Sequence, residues 1–167
     1  MSFVLKEQNG FSFIDEGEGE VLLLLHGLMG ALSNWEDTVN EFKSQYRVII
    51  PMLPIYDLPL LTTGVKTITK YIHKFVKYKK LKDFTIVGNS LGGHAGLIYV
   101  LSHPTFVRAL VLTGSSGLYE NAFGGTFPRR ESYDFIKEKV EFTFYDPKLL
   151  QKSWLMMFLE SLMTGIP

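Results

Sequence analysis

The sequence predicts an α/β fold with a mostly parallel sheet and helices on both of its faces. The first observation is a set of short apolar runs typical of buried strands, at 21–25, 46–50, 84–87 and 107–113. The second is that helical patterns separate these runs, at 33–42, 63–78 and 91–101. Because alternating strands and helices are joined by right-handed crossovers, this order implies parallel pairing.

Length and composition indicate one globular core. The chain has 167 residues, which are too few for two ordinary domains. Of these residues, 46% are hydrophobic and 20% are charged. Its net charge is zero, which argues against nucleic acid or a membrane as a partner. It contains no cysteine, which excludes disulfides, thiolate metal sites and cysteine nucleophiles. With no signal-like start and no apolar run of about 18 residues, we expect a cytoplasmic location.

The amino-terminal segment predicts a hairpin. Asn9-Gly10 is a strong turn signal between strands at 3–8 and 11–15. After the buried strand at 21–25, the small-residue turn at 26–30 reads HGLMG. This turn therefore lies at the carboxyl end of a central strand, where α/β proteins place their sites.

The first two helices have local signatures. Ser33, with Glu36 three residues later, predicts a capping box at the start of the first helix. The second helix has one buried face, formed by Ile68, Tyr71, Ile72, Phe75 and Val76. Its lysines, with those that follow, form a basic stretch: Lys66, Lys70, Lys74, Lys77, Lys79, Lys80 and Lys82. A solvated helix face explains this stretch better than a phosphate or nucleic-acid patch, because the interleaved aromatics belong to the core face.

The run at 88–92 reads GNSLG, the G-x-S-x-G pattern between a strand and a helix. A serine hydroxyl is a weak nucleophile and must be held exposed on a sharp turn, so Ser90 is the candidate nucleophile. The flanking Gly88 and Gly92 let the strand and helix approach closely. The competing interpretation is a glycine-rich turn with an incidental serine; the flanking strand and helix favour the nucleophile elbow.

Two motifs together resemble the α/β-hydrolase fold family. They are His26-Gly27 after one apolar strand and the run GNSLGGH at 88–94 after another. The similarity is greatest to small cofactor-free esterases and carbon–carbon bond hydrolases of the meta-cleavage-product type. It implies that Ser90 is the nucleophile and that the backbone N–H groups of Leu28 and Leu91 form the oxyanion hole. Gly27, Gly88, Gly92 and Gly93 would shape these turns, with no cofactor and no metal.

The resemblance covers only the amino-terminal part of the family pattern. We expect an incomplete α/β-hydrolase core over 1–119 and a helical lid or cap segment over 120–167, with the last core strands missing. The family's triad continues from serine to an acid and then a histidine, but no histidine follows His103. His94 could be the base, being four residues past Ser90, but we expect it to be structural or to contact the lid. We expect His26 to be packed and hydrogen-bonded, and we assign no role to His73 and His103. The triad acid and base are therefore expected to be absent from this chain.

Three functions follow as hypotheses. The first is a serine hydrolase acting on an ester or activated carbon–carbon bond of a small apolar substrate. The second is a non-catalytic binding or interaction domain on the same scaffold, and the third is the amino-terminal piece of a longer enzyme. In the family's strand order, 107–113 would have an unpaired edge. We expect that edge to be covered by the tail helices, by a second copy of the chain or by a complementing fragment.

Overall fold

The computed structural model of the protein describes residues 3–28, 32–55 and 64–118. The strands are β1 (Lys6–Gln8), β2 (Phe11–Glu16), β3 (Val21–Leu25), β4 (Arg47–Pro51), β5 (Phe84–Asn89) and β6 (Val107–Thr113). The α-helices are α1 (Glu36–Phe42), α2 (Val65–Tyr78) and α3 (Leu91–Ser102). Two 3₁₀ turns occur at Leu32–Trp35 and Pro104–Phe106.

The strands form one sheet in the order β1-β2-β4-β3-β5-β6. Strands β4, β3, β5 and β6 pair with one another in parallel. Strands β1 and β2 form an antiparallel hairpin, and β2 pairs antiparallel with β4. The mostly parallel α/β sheet is thus confirmed. Asn9 and Gly10 both have positive φ, 51° and 76°, as a tight two-residue hairpin turn requires.

Helices cover both faces of the sheet, and neighbouring residues of β2 show this directly. Ile14 packs in a cluster with Trp35 and Val39, from the turn before α1 and from α1 itself. Phe13, the residue before it, makes an edge contact with Phe75 of α2, at 5.4 Å between ring centroids. Because successive side chains of a strand point to opposite faces, α1 and α2 lie on opposite sides of the sheet.

The prediction of a capping box at Ser33 is wrong. The α-helix begins at Glu36, its cap residue is Trp35, and no side chain caps it. A 3₁₀ turn occupies Leu32–Trp35 instead. In a 3₁₀ turn, residues three apart lie on the same side, so Leu32 and Trp35 can both enter the core, where they are 5% and 9% exposed. Burial of these two apolar side chains explains why the turn replaces the predicted cap.

The predicted core face of α2 is largely confirmed. Four of its five members are buried: Ile68, Ile72, Phe75 and Val76. The fifth, Tyr71, is partly buried and makes an edge contact with Phe11 of the hairpin, at 5.3 Å. The amino-terminal hairpin is therefore held to the sheet by aromatic packing on α2.

An ion cluster around Asp15 ties three elements together. Arg47 of β4 donates two hydrogen bonds to the carboxylate, at 2.8 and 2.7 Å, and Lys79 after α2 adds one at 2.5 Å. The Asp15 side chain is only 10% exposed. Although its burial raises the pKa of Asp15, the hydrogen bonds from Arg47 and Lys79 outweigh this and lower that pKa below its usual value. Lys79 also lies 4.5 Å from the ring centroid of Phe13.

Charge is divided along the sequence. Residues 1–42 contain eight Asp and Glu but one Lys, whereas residues 43–82 contain nine Lys and Arg but one Asp. On α2, the exposed positions include four lysines at helical spacing: Lys66, Lys70, Lys74 and Lys77. The structure thus places these lysines on a solvated face, opposite the core face of the helix.

Strand β6 is the last strand of the sheet in the described part of the chain. Val111, near its middle, is 46% exposed. Self-association or fragment complementation through this edge stays a prediction. So does the division at 119–120, because residues 119–167 lie outside the described residues. No helix among the described residues is long and apolar enough to cross a membrane.

Candidate active site

Ser90 lies on a strained turn between β5 and α3. Its backbone angles are φ 51° and ψ −119°, which for a non-glycine residue is an unusual conformation. Such strain, about 1–3 kcal/mol, persists only where the surrounding structure imposes it. Within the described part of the chain, the hydroxyl of Ser90 has no hydrogen-bond partner. The fixed backbone therefore presents the side chain without a hydrogen bond to any of the described residues.

Close packing at this turn requires glycine at two positions, Gly88 and Gly92. A β-carbon on Gly88 would lie 2.6 Å from the α-carbon of Gly93, and one on Gly92 would collide with the carbonyl groups of Leu25 and His26. These obstacles are backbone atoms, which cannot rotate away as side chains can. The glycines singled out from the sequence are thus where β5, β3 and α3 come closest.

The turn after β3 touches the turn at Ser90. A β-carbon on Gly27 would lie 2.9 Å from the β-carbon of Ser90. Leu28 follows Gly27 in that turn and is 41% exposed. Leu91 is the first residue of α3, where backbone N–H groups have no partner within the helix. The fold therefore brings Leu28 and Leu91 to the two turns that meet at Ser90.

Two residues not singled out from the sequence fasten this turn to β6. The side-chain amide of Asn89 donates to the carbonyl and hydroxyl oxygens of Thr113, at 3.1 and 3.0 Å. The backbone N–H of Ser90 donates to the same carbonyl, at 3.1 Å. The sequence did contain an indication of this contact. Both residues end strands of one parallel sheet, and the carboxyl ends of parallel strands meet at one edge.

His26 is a buried structural histidine, as predicted. It is 4% exposed, and its Nε2 accepts a hydrogen bond from the backbone N–H of Leu53, at 2.8 Å. Its Nδ1 therefore carries the proton and donates to the carbonyl of Gly27, at 3.0 Å. Burial lowers the pKa of His26, although the bond to Gly27 opposes this. The neutral ring thus holds the turn after β3 against the segment that follows β4.

Acid is expected to destabilise the protein through His26. Because the folded pKa of His26 is below the ordinary 6.5, the contribution of His26 to the free energy of unfolding is complete above about pH 6.5. It is lost as the pH falls below that value. When urea unfolding is measured from pH 8 to 5, the unfolding free energy of the wild type should fall with a slope of up to about 1.4 kcal/mol per pH unit, and His26→Gln should lack this slope. Equal slopes in the two proteins would contradict this assignment.

The other three histidines make contacts that do not involve the Ser90 hydroxyl. His94 lies on α3 with its ring against Gly117, where an added β-carbon would lie 2.6 Å from Nε2. His73 and His103 stack on each other with ring centroids 4.0 Å apart, and His103 stacks on Tyr99. Burial, with the charges of His103 and of nearby Lys77, lowers the pKa of His73. Burial also raises the pKa of Tyr99 to about 12.

A small cavity of about 160 Å³ opens beside the turn at Ser90. Its lining comes from the turn after β3, the 3₁₀ turn and the ends of β5 and β6: His26, Gly27, Asn34, Trp35, Asn89 and Thr113. A larger hollow of about 330 Å³ lies along the β1–β2 hairpin and contains no candidate catalytic residue. Among the described residues, no group of three or more metal-binding side chains occurs.

Comparison with known proteins decides the family. The sequence model of the family described as "alpha/beta hydrolase fold" matches residues 20–152. The chain belongs to the α/β-hydrolase fold family. The predicted resemblance is confirmed, and the matched range contains the turns that carry Gly27 and Ser90.

Related proteins include two hydrolases named for 2-hydroxy-6-oxo dienoic acids. The 2-hydroxy-6-oxo-6-(2'-aminophenyl)hexa-2,4-dienoic acid hydrolase of Metapseudomonas resinovorans is 33% identical over 133 residues, which are 75% of this chain and 46% of that protein. The 2-hydroxy-6-oxo-2,4-heptadienoate hydrolase of Pseudomonas putida is 29% identical over 111 residues, covering 62% of this chain and 40% of that protein. The chain thus spans less than half the length of these two relatives.

Solved structures show the same fold. An α/β hydrolase enzyme from the metagenome of lagoon sediments at Mar Chica, Morocco, is 44% identical with a TM-score of 0.66, covering 70% of this chain and 54% of that chain. The meta-cleavage product hydrolase CumD of Pseudomonas fluorescens IP01, solved with acetates, has a TM-score of 0.71 at 22% identity. That match covers 93% of this chain and 64% of the other, and it bears on the fold alone.

Proposed function

We propose that this α/β hydrolase uses Ser90 to hydrolyse an ester or an activated carbon–carbon bond in a small apolar substrate. The observation that carries the proposal is the strained backbone of Ser90 at φ 51°, on a turn between a parallel strand and a helix. Strain of this kind is kept where a side chain must be aimed. The glycines around Ser90 are packed too closely to accept a β-carbon, which supports a turn whose shape serves to present Ser90.

The chemistry assigned to the site is acyl transfer through serine. The Oγ of Ser90 forms a bond to the substrate carbonyl carbon, and the N–H groups of Leu28 and Leu91 donate to the resulting oxyanion. Collapse breaks the bond to the leaving group, which takes a proton, and water then hydrolyses the acyl–serine ester. The hydroxyl proton of Ser90 needs a base, and none of the four histidines hydrogen-bonds to this hydroxyl in the described residues. We assign the base and its acid to the whole enzyme rather than to this chain.

The substrate class is proposed from the relatives and the cavity. Two relatives are named as hydrolases of 2-hydroxy-6-oxo dienoic acids, which are small conjugated molecules with a carbonyl group. The cavity beside Ser90 combines an indole ring with the amide side chains of Asn34 and Asn89. An apolar wall with a few polar groups is the usual lining of a small-molecule site. A cytoplasmic location is proposed with it.

A non-catalytic binding domain is the second candidate. It is favoured by one observation, the absence of a base bonded to the Ser90 hydroxyl among the described residues. Such a domain would keep the turn and the cavity but would not activate the serine. Ligand binding without covalent reaction would distinguish it from the hydrolase.

Labelling with a fluorophosphonate tests the proposal. Such a probe reacts fastest with a serine that has its base, and the oxyanion hole alone leaves residual reactivity. We therefore expect slow labelling of this chain with one adduct, mapped by mass spectrometry to Ser90 and absent in Ser90→Ala. Ser102→Ala serves as the control, because this serine lies at the other end of α3 and donates to the carbonyl of Ile98. No adduct on the wild-type chain, or an adduct on another residue, would contradict the assignment.

A further inference from the structure

The strained turn is held by a segment that lies more than twenty residues away in sequence. The N–H of Ser90 donates to the carbonyl of Thr113, at 3.1 Å, and its carbonyl accepts from the N–H of Ser116, at 3.3 Å. The same carbonyl also accepts from the N–H of His94 within the first turn of α3, at 3.2 Å. Outside its own helix, Ser90 is therefore bonded on both backbone sides to residues at the end of β6.

A side chain strengthens this connection at the preceding residue. Asn89 uses its amide to reach both oxygens of Thr113, the carbonyl at 3.1 Å and the hydroxyl at 3.0 Å. The carbonyl of Thr113 thus accepts two donors, one from Asn89 and one from Ser90. Because the Thr113 carbonyl accepts from both Asn89 and Ser90, a shift of Thr113 would displace the backbone at both of these residues.

Packing from the same segment restrains the start of α3. An added β-carbon on Gly93 would lie 2.6 Å from the hydroxyl oxygen of Ser115, and Gly117 lies against the ring of His94. The hydroxyl of Ser115 donates to the carbonyl of Ser116, at 2.8 Å, which fixes the loop itself. Residues 113–117, the β6 clasp, therefore touch the turn at its strand side, at Ser90 and at its helix side.

We propose that the β6 clasp is a positioning element for the nucleophile, in which Asn89 and Thr113 are positioning residues that act through the backbone of Ser90. This inference rests on the proposed function, since it assigns these residues to the aim of a reacting side chain. A local strand-turn-helix cannot impose φ 51° on serine by itself, because a relaxed conformation is available to any non-glycine residue. The clasp supplies the long-range bonds that make the strained conformation the favoured one.

Asn89→Leu tests the proposal, because leucine keeps the approximate shape of asparagine and removes both donors. Two quantities are measured on the whole chain: the second-order rate of fluorophosphonate labelling at Ser90, and the hydrogen-exchange rate of the Ser90 amide. We expect labelling to slow by about 3- to 10-fold and amide exchange to quicken by a similar factor, the range expected for losing a hydrogen bond.

Thr85→Val is the matched control. Thr85 pairs with Ala109 on the same two strands, four residues before the Asn89 and Thr113 pair, and should change neither rate. Thr113→Val removes the hydroxyl acceptor with little change in shape and provides a second test if Asn89→Leu does not fold. In Thr113→Val we expect a smaller change in the same directions, because the carbonyl acceptor is kept.

The two readouts separate failure of the clasp from failure of the proposed function. A wild-type chain that is never labelled contradicts the proposed function. The amide-exchange rates then test the positioning role of the β6 clasp on their own. Unchanged exchange in Asn89→Leu overturns the positioning role, even if labelling slows, because the side chain would then act on the reagent directly. Faster exchange with slower labelling supports the proposal.

Discussion

Gly92→Ala is expected to destabilise the protein by about 3 kcal/mol, because the new β-carbon would meet the backbone carbonyls of Leu25 and His26. Gly92 does not need a special φ, since it lies inside α3 near its start. The cost therefore arises from the approach of α3 to β3. Relief would require the helix to move away from the sheet, and that movement would also shift Ser90. The measurement is urea unfolding of the variant and the wild type at pH 7.

Gly64→Ala is the control for this prediction. Gly64 precedes α2, has an extended backbone with φ −161°, and has no atom within 4 Å of an added β-carbon. Replacing glycine by alanine at the residue before a helix costs only a few tenths of a kcal/mol or somewhat more. Equal destabilisation of the two variants would show that the close approach of α3 to β3 is not the cause.

Asp15→Ala is expected to cost about 3 kcal/mol at pH 7, because removal of one member of a buried ion cluster leaves the others unpaired. Arg47 would lose both of its bonds to the carboxylate, and Lys79, whose side chain is 13% exposed, would lose its own. The folded pKa of Asp15 is below 3.8, so its contribution is complete above about pH 3.8 and is lost as the pH falls further. The difference in unfolding free energy between Asp15→Ala and the wild type should therefore become smaller in acid.

Asp83→Ala gives a matched comparison, because Asp83 also forms a two-point contact with an arginine, Arg108, at 3.2 and 2.5 Å. Its side chain is 68% exposed, so solvent screens the pair. Alanine is also strained at the positive φ of this position, 53°, by about 1 kcal/mol. The two effects together should stay well below the cost of Asp15→Ala. Urea unfolding at pH 7, 5 and 3 measures both variants. If Asp83→Ala destabilised the protein as much as Asp15→Ala, burial would not be what gives the Asp15 cluster its strength.

Short-range patterns predicted the sheet well because its strands are marked locally. The strand at 107–113 and the turn at Asn9-Gly10 depend on residues next to one another in sequence. The turn at Ser90 was marked in the same way, by its flanking glycines. The failure at Ser33 has the opposite cause, since the core selected a 3₁₀ turn that buries Leu32 and Trp35 over a favourable local cap.

Contacts distant in sequence could not be predicted in the same way. Asp15 meets Arg47 across 32 residues and Lys79 across 64, and nothing in any one stretch indicates the others. Asn89 meets Thr113 across 24 residues, and the contact follows only once the register of β5 with β6 is known. The sequence therefore predicted the position of the candidate nucleophile but did not predict what holds it in place.

The division of charge polarises the described part of the chain across its sheet. Acidic residues of α1 lie on one side of the sheet, and the four exposed lysines of α2 lie on the other. At low ionic strength the α2 face would attract anionic groups and the α1 face cationic ones, and added salt would screen both attractions.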